Sequence, residues 1–120
     1  MNRHDDVVRG FAEACRRGDV AALRAALAAD AVAECDGGGV VPAAVDPVRG
    51  AGDVARLVAV LLHTRPDTEL TVESVNGRAG LALRRDGRAV AVVAVEVAGG
   101  RVAVLWVVLN PAKLSGWHRR

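Results

Sequence analysis

The chain has 120 residues and a mass of 12.4 kDa, the size of a single domain. Apolar residues make up 52%, charged residues 25%, and the formal net charge is +2, which excludes a disordered tail, a collagen-like rod and a strongly basic nucleic-acid binder. Ala and Val supply 45 residues while Phe and Trp supply three and Tyr none, so the core is built from small and β-branched side chains.

Met1 to Asp6 is polar and leads straight into an amphipathic segment, so no signal peptide is expected and the protein reads as cytoplasmic. Asp5 or Asp6 caps a first helix in which Val7, Val8, Phe11, Ala14 and Cys15 share one face. Arg16 and Arg17 suit its negative end, and Gly18 supplies the left-handed stop. Asp19 caps a second helix with Leu23, Ala26 and Leu27 as its apolar stripe. Ala31 to Asp36 is too short for a helix and reads as a strand. Gly37-Gly38-Gly39 breaks it, and Pro42 and Pro47 keep the next stretch irregular or at a sheet edge.

Gly50-Ala51-Gly52-Asp53 opens a third helix with Asp53 as its cap. Val54, Leu57, Val58, Leu61 and Leu62 form its stripe, and Arg65-Pro66 ends it. Asn76-Gly77, Asp86-Gly87 and Gly99-Gly100 are hairpin signals, because such pairs take the positive φ angles of two-residue β-turns. Four strands follow, about 68–76, 79–85, 88–98 and 101–109, in an antiparallel meander. The order of helices and strands is α+β.

The longest apolar runs, Ala89 to Val95 and Val102 to Leu109, are too short for membrane helices, so no membrane partner is expected. Cys15 and Cys35 have no metal-ligand spacing and read as buried reduced thiols. No His, Cys and carboxylate cluster has metal spacing, and neither a metal nor a cofactor is expected. Basic charge is scattered rather than clustered, so direct nucleic-acid binding is not expected.

A two-residue turn at Gly99-Gly100 pairs Val97 with Val102, Val93 with Trp106, and Glu96 with Ala103. One face of the last hairpin then carries Val93, Val95, Val97, Val102, Val104, Trp106 and Val108. The other carries Val90, Val92, Ala94, Leu105, Val107 and Leu109. Both are apolar, whereas a sheet with one wet face alternates. Three helices cover one side only, which predicts a homodimer through the other, the alternative being a sheet curled over its own outer face.

Five local strings occur in order: Gly18-Asp19, Asp36-Gly37-Gly38-Gly39, Pro47-Val48-Arg49-Gly50, Val75-Asn76-Gly77-Arg78 and Asn110-Pro111-Ala112-Lys113-Leu114. With the element order, they make the chain resemble the SnoaL-like branch of the nuclear transport factor 2-like superfamily. More narrowly it is similar to the C-terminal SnoaL-like extension of a group of extracytoplasmic-function sigma factors. Val40 stands where that group often has Lys, and Ala112 where it often has Asp. The resemblance implies a cone-shaped, cystatin-like α+β fold, a curved antiparallel sheet wrapped around three helices with a pocket open at one end. It covers residues 1–114 as a single SnoaL-like domain, leaving 115–120 as a C-terminal tail. The chain begins ahead of the first helix, which suggests a stand-alone relative of the sigma-factor module. A sigma factor or RNA polymerase is then a partner to consider.

Enzymes of this fold, among them polyketide cyclase-like proteins, isomerases and epoxide hydrolases, use pocket carboxylates. Glu34 and Asp36, two apart on a strand, share a face and are the candidate catalytic pair if that face lines the pocket. Alternatively, Asp36 folds back onto the Gly37–Gly39 turn and Glu34 sits in water. Phe11, Leu57, Leu61 and Trp106 are the candidate walls for a small apolar ligand. Trp106 is expected to face Val93, with Ala89 and Ala91 making space on the same side, although core packing is the commoner role for such a Trp. His63 lies opposite the third helix's stripe and is expected in water, while His4 and His118 sit at frayed termini. Glu96 is expected at the sheet rim. Glu69, Thr71 and Glu73 alternate with Leu70 and Val72 like a half-solvated strand. Ser74 and Ser115 lack a nearby base, and Cys15 on a core face is expected to be inert. The tail from Lys113 to Arg120 folds over a partner or the pocket mouth, or is disordered. Two functions fit: a non-catalytic ligand-binding or regulatory domain, or a small cyclase or isomerase with Glu34 or Asp36 as base.

Overall fold

Gly18 settles how the chain begins. In the computed structural model, which describes residues 3–37 and 46–118, α1 (Arg3–Arg17) ends where Gly18 takes φ 61°. The Gly18 N–H bonds the Cys15 carbonyl and the Asp19 N–H bonds the Ala14 carbonyl, the paired closure of a Schellman stop. Asp19 then caps α2 (Val20–Ala26), its carboxylate accepting from the Ala22 N–H at 3.0 Å. Asp5 and Asp6 lie inside the first turn of α1, not at its cap, because the helix starts earlier than the apolar pattern does.

Leu27, expected in the stripe of α2, is its C-cap and the first residue of β1 (Leu27–Asp36). β1 is therefore longer than the Ala31–Asp36 segment expected. The edge strand β2 (Val48–Arg49) pairs antiparallel with it. Gly50 (φ 93°), not Asp53, stands at the cap of α3 (Ala51–Leu61). The Gly50 N–H bonds the Ala31 carbonyl at 2.8 Å, so the helix starts where β2 ends alongside β1. Asp53 sits in the first turn and pairs with Arg56. The expected Gly38-Gly39 turn and Pro42 lie outside the described residues, as do Arg119 and Arg120 of the tail.

The second half is the expected meander of β3 (Thr68–Val75), β4 (Arg78–Arg85), β5 (Arg88–Ala98) and β6 (Arg101–Val108). All three turns use two residues of positive φ: Asn76-Gly77, Asp86-Gly87 and Gly99-Gly100. The six-stranded sheet runs β2-β1-β6-β5-β4-β3, with β1 parallel to β6, and it is curved and unclosed. One face packs on α1–α3 around Phe11, Leu23, Leu62, Leu81 and Leu105, all fully buried. Each such side chain contributes about 1.5–3 kcal/mol relative to leaving it exposed. Arg16 ties α1 to the sheet by donating from Nε and Nη2 to the Leu70 carbonyl at 3.1 and 2.9 Å.

The last hairpin differs from its expected register. Val97 does pair with Val102, but Glu96 pairs with Val104 and Ala94 with Trp106, so Ala103 is an extra residue, a β-bulge. Beyond it the faces of β6 are exchanged. Val102, Leu105 and Val107 join Val93 and Val95 in the core, while Val104, Trp106 and Val108 face outward with Val92 and Ala94. A second shift, between Leu83 and Arg84, leaves Val90 unpaired opposite β4 and turns it to the core while Ala89 and Val92 face out.

The outer face carries a smaller apolar cluster of Val75, Ala82, Ala89, Val92 and Leu114. Leu114 comes from α4 (Pro111–Leu114), followed by one 3-10 turn, Ser115–Trp117. Asn110 caps α4 by accepting from the Ala112 N–H at 3.1 Å, with Pro111 at the first helical position. The segment after β6 thus packs back across part of the outer face. No helix among the described residues is long and apolar enough to cross a membrane.

Candidate functional site

β1 holds the acid pair. Its parallel register sets Glu34 beside Trp106 and Asp36 beside Val108, so both carboxylates stand on the outer sheet face, away from α1–α3. The Trp106 indole Nε1 donates to Glu34 Oε2 at 2.9 Å, and Lys113 Nζ of α4 donates to Asp36 Oδ2 at 2.6 Å. The Leu109 N–H also bonds the Asp36 carbonyl at 2.7 Å, so the start of the C-terminal segment is fastened to the end of β1 by main chain and side chain together.

Of the candidate ligand walls, Phe11 is fully buried in the helix-facing core, and Leu57 and Leu61 pack against the same cluster. Trp106 is not with them. Expected to face Val93, it pairs with Ala94 on the opposite face and is 40% exposed, because the Ala103 bulge turns β6 over. Ala89 and Ala91, expected together beside it, lie in different clusters. The six candidate residues therefore form two groups: Phe11, Leu57 and Leu61 under the helices, and Glu34, Asp36 and Trp106 outside. A groove of about 430 Å³ runs along the outer face past Trp106, Ala94, Val92 and Val108, with Arg78 and Glu96 also in its wall.

A buried ion pair borders this face and carried no motif. Arg84 is only 5% exposed. Its Nη1 bonds Glu73 Oε2, its Nη2 bonds Glu73 Oε1 at 3.0 Å, Nη1 reaches Thr71 Oγ1 at 3.2 Å, and Nε donates to the Trp117 carbonyl at 2.8 Å. The Glu73 hydrogen bonds raise the guanidinium's pKa above its ordinary value, outweighing burial. Thr71 and Glu73 read in sequence as a solvated face. The signal available was that β4 places Arg84 two residues after Ala82 and level with Glu69, next to Thr71 and Glu73 on β3.

Two of the histidines also differ from expectation. His4 is buried, with Nε2 2.8 Å from the Ala79 carbonyl, and His118 accepts the Ala89 N–H on Nδ1 at 2.8 Å, so neither is frayed. His63 is exposed just past α3, against Gly18. Glu96 is exposed near the β5–β6 turn. Burial pushes the Cys15 thiol up to about 12, while Cys35 is half-buried. No group of three or more His, Cys, Asp or Glu among the described residues could hold a metal ion.

Among solved structures the chain is similar to the Mycobacterium tuberculosis extracytoplasmic function sigma factor SigJ, at 28% identity and a TM-score of 0.69 over 97% of this chain. The match covers 45% of that protein, so the chain spans less than half the sigma factor's length. A Mesorhizobium loti NTF2-like protein of unknown function matches at 24% identity and a TM-score of 0.64, over 90% of this chain and 91% of its own. An LEH-like epoxide hydrolase of M. tuberculosis matches at 17% and 0.56, over 97% and 89%. The last two likenesses show the fold alone. No family model and no curated protein matches the sequence. The chain's structural neighbours are thus NTF2-like proteins, SigJ among them, and it has their cystatin-like α+β fold.

Proposed function

We propose that this chain is a non-catalytic SnoaL-like module, ligand-binding or regulatory, related to the extension that some sigma factors carry. The observation behind this reading is the position of the acid pair. Proton transfer next to a carbonyl needs a carboxylate desolvated against the substrate. Glu34 and Asp36 instead stand on the outer sheet face, engaged by the Trp106 indole and the Lys113 ammonium. Of the buried polar side chains among the described residues, His4 and Arg84, only His4 lies on the helix side, and its Nε2 is engaged by the Ala79 carbonyl. Similarity to part of SigJ supports a regulatory role, with a sigma factor or RNA polymerase as the class of partner. The uncovered stretch of outer face around Trp106 supports a second copy of the chain as another.

The test is solvent-deuterium exchange at the carbon next to the carbonyl of a cyclic unsaturated ketone. Native protein and the E34Q/D36N variant are both expected to match the buffer rate. Exchange well above buffer that is lost in E34Q/D36N replaces this reading with the cyclase or isomerase one.

A further inference from the structure

The two apolar layers meet at the end of the sheet where β4 turns into β5, and a cleft opens there that the acid pair and Trp106 do not touch. One part, about 470 Å³, lies between the Asp86-Gly87 turn and α4, floored by Val90, Leu109 and Leu114. A smaller part, about 190 Å³, continues toward the end of α3 past Leu61 and shares Arg85, Val90 and Leu109 in its walls. The larger part falls in the size range of small-molecule sites. Val90 is available as floor because it is the unpaired residue of the β5 shift.

The rim is cationic. Arg65, Arg85 and Arg88 line the two parts against one acid, Asp86. Arg85 also meets Asp67 at 3.5 Å in an exposed pair, whereas Arg88 makes no ion pair among the described residues. His118 adds a defined donor. Its Nδ1 accepts the Ala89 N–H, so in the neutral ring the hydrogen is on Nε2. Guanidinium N–H groups and an imidazole N–H above an aliphatic floor match a carboxylate attached to an apolar body.

We propose that this cleft binds a small amphipathic carboxylate, its charge held by Arg85, Arg88 and His118 and its apolar body laid against Val90, Leu109 and Leu114. This does not rest on the functional reading above, since the cleft is separate from Glu34 and Asp36 and binds whether or not the chain is catalytic. Arg85 and Arg88 are exposed at the rim, so the charge contact and the aliphatic floor each supply only part of the binding, and neither acetate nor an uncharged alkyl group makes both.

Amide spectra titrated with octanoate, octan-1-ol and acetate test it. Octanoate is expected to move the amides of Ala89, Val90, Leu109 and Leu114 saturably, at least tenfold more tightly than either comparison compound. R85Q/R88Q is expected to weaken octanoate about tenfold while the spectrum stays dispersed. R88Q alone breaks no described ion pair and so separates lost binding from lost fold. The proposal is overturned if octanol matches octanoate, if R88Q and R85Q/R88Q bind like native protein, if the shifts centre on Phe11 and Leu57, or if octanoate moves nothing. None of these results bears on the exchange assay.

Discussion

Arg84 lies among alanines and valines on the outer face, yet each of its nitrogens has a partner on Glu73, Thr71 or the Trp117 carbonyl. Removing one side of a buried pair leaves the other charge unmatched, a larger loss than replacing both. E73Q is therefore expected to lower stability by about 3 kcal/mol in urea unfolding, and E73L/R84M to recover most of it. Cys15 gives a second measurable consequence. Because its thiol is raised from 9.0 to about 12 by burial, the folded state holds the proton more tightly than the unfolded chain. That contribution is intact below about pH 9 and is lost as pH rises toward 12. C15A is expected to flatten the alkaline fall of stability by up to about 1.4 kcal/mol per pH unit, and native Cys15 to resist thiol reagents at pH 8 until the chain is unfolded. The core position of Cys15 was legible because the helical period alone places it with Val8 and Phe11. The settings of His4 and His118 were not, since their partners lie 75 and 29 residues away in sequence, whereas Glu73 and Thr71, 11 and 13 residues from Arg84 across one hairpin, were within reach of the Asn76-Gly77 register.

Turns and caps are local, and this explains which elements could be read in advance. Gly18, Asp19 and the three hairpin pairs act through their own φ angles and side chains, so they held to within a residue or two. The Ala103 bulge has no Gly or Pro to mark it, and one extra residue exchanges the faces of everything after it. That single shift separates Trp106 from Phe11, Leu57 and Leu61 and sets it beside Glu34. α4 was quoted only as a string of residues, because four residues show no period. Within β4, Gly80 is required by contact: a Cβ there falls 2.4 Å from the Val93 carbonyl oxygen and 2.7 Å from Val75 Cγ2. Backbone cannot yield as a side chain tip does, so G80A is expected to cost about 2 kcal/mol or more, read as a lower denaturation midpoint with unchanged slope.

Across the whole molecule, helices cover one side of the sheet and the chain's own C-terminal segment covers part of the other. The uncovered remainder, with Trp106, Arg78 and Glu96 in its wall, suits a two-fold contact in which each copy presents the same patch. If the proposed second copy sits there, light scattering gives twice the 12.4 kDa chain mass, and W106E returns it to the monomer. A native protein that scatters as 12.4 kDa removes that proposal. The parallel pairing of β1 with β6 has a consequence in time as well as space. One edge of residues 27–36 takes β2 at 48–49, but the other finds its partners at 102–108, so during synthesis that edge waits for the last strand to leave the ribosome. The helical hairpin and the first three strands of the meander can form early, but the sheet that joins them closes only once β6 has emerged, and until then one edge of β1 stays open to any other strand.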